Sequence, residues 1–315
     1  MIVDLVLIVF ALILLFAGAE GLVRGSAALA LRAGLSPLIV GLTIVAFGTS
    51  SPELVVSVKA GLAQQGDIAV GNVVGSNIFN IAIILGITAL VCPIPVHRQI
   101  IKIDAPIALG VALLLIVFLR DDSLGRIEGA LLFVGIVGYT WMNVLLARRE
   151  GAAEPAESSE STVRVSSRPW LADLAFILGG LTVLVFGSRL LVEHSVSLAK
   201  NMGISEAVIG LTIVAAGTSM PELATSLVAA IRKQPDIAIG NVVGSNVFNI
   251  LGILGLASIV SPIRATGIST LDYTTMIIFT ATLIPLIYTG RLLRRLEGAV
   301  LLLLYGAYLV FLWPT

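Results

Sequence analysis

Residues 41–46 read GLTIVA, and residues 210–215 read GLTIVA again. GTSSPEL at 48–54 returns as GTSMPEL at 217–223, and GNVVGSNIFN at 71–80 returns as GNVVGSNVFN at 240–249. Asp67 and Asp236 obey the same offset of 169 residues. One offset shared by separate, chemically mixed motifs means duplication. Whatever this chain folds into is built from two copies of one unit.

The unit belongs in a bilayer. Of 315 residues 57% are apolar and 12% charged, about half the charged share of soluble domains, and the mean hydropathy is +1.06. These values exclude a soluble globular protein and a disordered chain. Lys+Arg and Asp+Glu are equal at 19 each, so no basic field exists to hold nucleic acid. The single cysteine, Cys92, excludes an intrachain disulfide and a cysteine metal cluster. A spanning helix needs about 20 apolar residues. The apolar runs predict ten, near 2–31, 36–62, 67–92, 102–119, 125–147, 169–199, 205–231, 236–262, 270–290 and 293–313. The runs lack the alternation of a barrel, so strands are not expected. Met1-Ile2-Val3-Asp4 lacks a positive n-region and opens a stretch too long for a signal peptide, so it is read as the first span.

The expected fold is an all-α integral membrane protein with ten transmembrane helices. The first repeat covers 1–147 and the second 169–315. The polar stretch 148–168, with Glu154, Pro155, Glu157 and Glu160, is expected to be a flexible cytoplasmic linker. Five helices per copy is an odd number, so the second copy enters the membrane upside down. With both termini outside, twelve Lys/Arg fall in cytoplasmic loops, against Lys59, Arg120, Arg126, Lys200 and Arg264 outside. The positive-inside rule favours that orientation.

Glu53 and Glu222 lie deep in apolar helices with no basic residue within a helical turn. A charge at the bilayer centre costs at least about 2.5–3.5 kcal/mol. Inverted symmetry brings the two together, and two carboxylates in low dielectric repel unless a cation sits between them. Thr49 and Ser50 share a helix face with Glu53. Gly48 and Pro52 predict a kink or break that frees carbonyl oxygens. Thr218, Ser219, Pro221 and Glu222 repeat the set. Ser76 and Asn80 stand at i,i+4 on the next helix, with Gly71 and Gly75 permitting close approach, and Ser245 and Asn249 repeat them. All candidate ligands are oxygens, which suits Ca²⁺ or Na⁺ and disfavours zinc, copper and iron. His97 and His194 stand outside this group. Glu20 with Arg24, and Arg189 with Glu193, are expected to form intrahelical ion pairs.

The GTSSPE and GTSMPE motifs, each followed by GNVVGSN, resemble the two alpha repeats of the calcium/cation antiporter superfamily, nearest its prokaryotic sodium/calcium exchangers. The resemblance spans both halves. It implies an ion core made by the second, third, seventh and eighth helices. It implies Ca²⁺ held by Glu53, Glu222, Thr49, Thr218 and carbonyls such as those of Ala46 and Ala215. It also implies Na⁺ sites using Ser50, Ser219, Ser76 and Ser245, and first and sixth helices that slide past the core. One departure stands out. Archaeal relatives carry Asp at one of the positions held here by Asn80 and Asn249. Proton/calcium branches also lack an acid there, but they usually replace the Thr-Ser that this chain keeps twice.

The leading expectation is therefore an antiporter exchanging Ca²⁺ for Na⁺ by alternating access in a prokaryotic cell membrane. A proton/calcium antiporter is the alternative, and a channel the next. An intramembrane hydrolase would need a nucleophile–base pair, and none accompanies these motifs, so no enzyme activity and no cofactor are expected. The expected partners are Ca²⁺, Na⁺ or H⁺, and the bilayer.

Overall fold

The computed structural model describes residues 2–153, 169–202 and 215–312. Among these the helices are α1 (Ile2–Ala33), α2 (Pro37–Thr49), α3 (Ser51–Leu62), α4 (Gly66–Val91), α5 (Ile100–Phe118) and α6 (Arg126–Ala153). They continue as α7 (Trp170–Asn201), α8 (Ala215–Gly217), α9 (Met220–Ile231), α10 (Pro235–Val260), α11 (Thr270–Tyr288) and α12 (Arg295–Leu312). Seven are long and apolar enough to cross a membrane, or eight if α2 and α3 form one bent span. The start of the helix expected at 205–231, including most of the second GLTIVA, lies outside the described residues. So does the linker from residue 154 onward.

Burial sorts the helices into a centre and a rim. α4 and α10 carry the two GNVVGSN motifs, and their most apolar windows are 78% and 83% buried, against 28% for α1 and α7. In α10 a Cβ on Gly240 would stand 2.9 Å from the Leu38 carbonyl oxygen and one on Gly244 2.5 Å from that of Leu42, so glycine permits close packing there, whereas the expected close approach at Gly75 in α4 is not found, with nothing within 4 Å. α1 and α7 each run 32 residues, about 48 Å at 1.5 Å per residue. That exceeds the ~30 Å hydrocarbon core, which helices this long accommodate by tilting or by carrying their charged ends beyond it. They lie antiparallel, since Asp4 meets His194 at one end and Arg32 meets Asp173 at the other. At their crossing a Cβ on Gly18 would stand 2.8 Å from the Gly180 carbonyl oxygen, and one on Gly180 would stand 2.7 Å from the Gly18 carbonyl. Only glycine fits there.

Contacts between the halves are reciprocal. The two-residue strand β1 (Ile94–Pro95) pairs antiparallel with β4 (Leu292–Leu293), and β2 (Ser123–Leu124) pairs with β3 (Ile263–Arg264). The offset of 169 converts one ladder into the other with the halves exchanged. These short ladders depart from the expectation of no strands. They form where the chain leaves a helix and its backbone groups need partners.

α6 also runs six residues beyond the helix end expected at 147. The expected end followed hydropathy, whereas Arg148, Arg149, Glu150, Ala152 and Ala153 have high intrinsic helix propensity, which outweighs the poor propensity of Gly151.

Candidate functional site: a buried cage of oxygens

The chain breaks between α2 and α3, which are bent 47° at Ser50. Ser50 has φ −81° and ψ 8°, and Ser219 repeats this with φ −88° and ψ 7°. Pro52 and Pro221 sit in the first turn of the helix that follows each break, where a missing N–H costs nothing. Each break therefore starts a new helix with a glutamate in its first turn. The expected break is present, two residues past Gly48.

Glu53 and Glu222 are each 1% exposed. The Ser50 hydroxyl donates to Glu222 Oε1 at 2.8 Å, and the Ser219 hydroxyl donates to Glu53 Oε1 at 3.1 Å. Each carboxylate is thus tied to the other copy's break. Ser76 Oγ joins this chain at 3.2 Å from Ser219 Oγ. Among the described residues no ion pair reaches either glutamate; those present engage Glu20, Asp173 and Asp4.

Beneath the carboxylates lies an asparagine lattice. Asn77 donates to the Asn246 carbonyl at 3.3 Å, and Asn246 donates to the Asn77 carbonyl at 3.2 Å. Asn80 donates to Asn246 Oδ1 at 2.9 Å, and Asn249 donates to Asn77 Oδ1 at 3.0 Å. Asn72 bonds the Glu53 carbonyl and the Ser57 hydroxyl, and Asn241 bonds the Glu222 carbonyl and the Ser226 hydroxyl. These bonds fix the backbone behind each glutamate. Asn80 and Asn249 also open π-helical turns, Asn80–Leu85 and Asn249–Leu254. Such bulges concentrate at functional sites.

Six buried oxygens of the expected set have no hydrogen-bond partner among the described residues: Glu53 Oε2, Glu222 Oε2, Thr218 Oγ1, Ser245 Oγ, Asn80 Oδ1 and Asn249 Oδ1. Orphaned buried acceptors are costly, and a hard cation with six to eight oxygen ligands answers that need. Other members of the set are engaged. Thr49 Oγ1 stands 3.1 Å from both the Val45 carbonyl and Asn241 Oδ1, and the Ala46 carbonyl accepts from Ser50 N. Ala215 opens α8 at the edge of the described residues.

Sequence reading passed over Asn72, Asn77, Asn241 and Asn246. Their signal was present, since the identical GNVVGSN heptads contain all four. One expected ion pair is also absent. Glu20 pairs with Arg24 and additionally with Arg232 at 2.7 Å, but among the described residues Arg189 and Glu193 form no such pair. Glu before Arg at i,i+4 is the favourable order, and Arg189 before Glu193 is the reverse.

A helical membrane protein that buries two facing carboxylates among hydroxyls and amides has the chemistry of a cation carrier. The sequence pattern of the family described as "Sodium/calcium exchanger protein" matches residues 3–145 and 173–313, and the chain belongs to that family. It is 39% identical to the protein CaxA of Alkalimonas amylolytica, covering 100% of both chains. It is 32% identical to the sodium/calcium exchanger MaX1 of Methanosarcina acetivorans, covering 99% of both. Its fold resembles the solved sodium-calcium exchanger NCX_Mj with a TM-score of 0.84 and 29% identity, covering 99% of each chain.

Proposed function

We propose that this chain exchanges Ca²⁺ for Na⁺ at the Glu53–Glu222 cage by alternating access. The ligands in this reading are Glu53, Glu222, Thr49, Thr218, Ser50, Ser219, Ser76, Ser245, Asn80, Asn249 and the carbonyls of Ala46 and Ala215. The observation that carries it is the set of six orphaned, buried oxygens around two carboxylates that lack a basic partner. Two carboxylates balance one Ca²⁺ or two Na⁺, so either cargo leaves the cage neutral. A third Na⁺ would leave it positive.

The same reading takes ten spans in two inverted repeats, 1–147 and 169–315, with both termini outside a prokaryotic cell membrane. Support comes from the reciprocal Asn77–Asn246 bonds, the exchanged strand ladders and the antiparallel α1 and α7. Such reciprocity is what a two-fold axis produces, and an axis in the membrane plane would invert one repeat.

Ca²⁺ uptake into proteoliposomes tests the proposal. Uptake driven by an imposed Na⁺ gradient, and not by a proton gradient alone, is expected. Uptake driven by protons alone would reassign the counter-ion, and uptake with no counter-ion would indicate a channel.

A further inference from the structure

Among the described residues three buried carboxylates lie outside the cage; Asp4 meets His194 and Asp173 meets Arg32, and the third is Asp104. Asp104 ends the π-helical turn Ile100–Asp104 at the start of α5 and is 0% exposed. Its Oδ1 accepts a hydrogen bond of 2.9 Å from the Tyr139 hydroxyl on α6. Its Oδ2 has no hydrogen-bond partner among the described residues. Gln99, one turn earlier and 5% exposed, donates to Asn143 Oδ1 at 2.6 Å, yet its own Oε1 also has no partner. Asn143 in turn donates to the Tyr139 carbonyl. One cluster therefore holds two orphaned acceptors and one carboxyl group, and among the described residues no cation pairs with it.

The cluster is not part of the duplication. At the offset of 169, Gln99 becomes Ile268, Asp104 becomes Tyr273 and Asn143 becomes Leu312, while Tyr139 becomes Tyr308. Tyr308 bonds Asp272 at 2.7 Å, but that carboxylate is already engaged in a capping box with Ser269. The second copy thus satisfies its acid at an exposed helix start, and the first copy buries one.

We propose that Asp104 is a proton-binding site of this protein, separate from the cage and present only in the first repeat. The proton comes from hydronium in bulk solvent, leaving a water molecule, forms the O–H bond at Asp104 Oδ2 and so turns one orphaned acceptor into a donor for a cluster that lacks one. An alkali cation fits less well, because it requires a cage of several oxygens and only two here are unpartnered. The route to water is short, since His97 and Arg98 are exposed just before Gln99. The titratable and charged groups around the site are few. Tyr139 bonds it directly, His97 acts on it electrostatically, and Arg98 and Lys102 flank it in the chain. Of the helices packed against this turn, α10 carries Asp236, and α11 carries Asp272 and Tyr273 at its start and Tyr288 at its end, where Tyr288 and Arg291 line one pocket with Arg98, Ile101 and Lys102.

Infrared difference spectroscopy of the full chain in bilayers, with aspartate carboxyls labelled with carbon-13, tests this without reliance on transport. The label separates aspartate from Glu53 and Glu222. The expected result is a labelled carboxylic-acid band at neutral pH that shifts in Tyr139→Phe and vanishes in Asp104→Asn. The asparagine places an amide donor where the proton would sit, so that variant is expected to fold. If it does not, the Tyr139→Phe shift carries the assignment. Absence of the band in the parent, its survival in Asp104→Asn, or an unshifted band in Tyr139→Phe would overturn the site. Loss of the band on adding Na⁺ at constant pH would also overturn it, in favour of an alkali-cation site.

Discussion

The two copies share their motifs yet are flanked differently. On one side α1 packs along α9, and Glu20 bridges Arg24 to Arg232 at the end of that helix. On the other side α7 makes no comparable contact with α3. A groove of 280 Å³ opens there instead, lined by Pro52, Val56, Lys59, Arg189, Glu193 and Thr218. It runs from Lys59, Arg189 and Glu193 to Thr218 of the cage. Side chains account for part of the difference. The positions matching Glu20 and Arg232 are Arg189 and Ala63, so this ion pair has no counterpart on the other flank. A duplicated chain can thus hold its two flanks in different states, as a carrier that opens one side at a time requires.

The largest expected effect concerns what the copies share. Glu53→Gln and Glu222→Gln should each abolish Na⁺-driven Ca²⁺ flux in proteoliposomes, because one remaining carboxylate leaves a buried divalent charge uncompensated. Both proteins should still fold. Retained flux in either variant would break the equivalence of the two halves and remove that residue from the cage.

The open and closed flanks should next differ in reagent access. In a Cys92→Ser background, Val56→Cys faces the groove and should react readily with a water-soluble thiol reagent. Thr225→Cys, its counterpart on the closed flank, should resist. Equal labelling would show that the flanks do not differ in the membrane.

The asparagine lattice should respond symmetrically. Asn77→Ala and Asn246→Ala each strand buried partners, at a cost of about 1–3 kcal/mol per unsatisfied group. Thermal unfolding in detergent should show similar losses for both. A large inequality would mean that the reciprocal bonds are not energetically reciprocal.

Sequence made the duplication, the two glutamates and the helix breaks legible, because each is written in local chemistry: a constant offset, a charge in an apolar run, a proline after Thr-Ser. The lattice was less legible. Whether an asparagine oxygen is satisfied depends on what the opposing helix presents to it: Asn77 and Asn80 both donate to Asn246, but only the Asn77 side-chain oxygen receives a bond, from Asn249. Asp104 was hidden for another reason. It stands near the start of the helix expected at 102–119, where a carboxylate usually serves as a cap, and here its side chain caps nothing. The unequal flanks were written only in part. Ala63 in place of Arg232 is readable, but which face stands open is a choice between packings of one sequence, and no residue encodes it.

The smallest effect isolates that choice. Arg232 and Glu20 form a bridge whose side chains are 48% and 14% exposed. Pairs of this kind contribute about 0–1 kcal/mol, since solvent screens them and ordering two long side chains offsets the gain. Arg232→Gln should therefore lower thermal stability only slightly, and Arg189→Gln, which breaks no ion pair among the described residues, should not lower it at all. The informative readout is access. If the bridge biases α1 towards α9, Arg232→Gln should increase thiol labelling of Thr225→Cys, while Arg189→Gln should leave labelling of Val56→Cys unchanged. Both measurements are made at low and high salt, because screening of an exposed pair should mimic the loss of Arg232. Labelling of Thr225→Cys that ignores both salt and Arg232 would mean that apolar packing alone holds the closed flank, and the bridge would then be a consequence of closure instead of a cause.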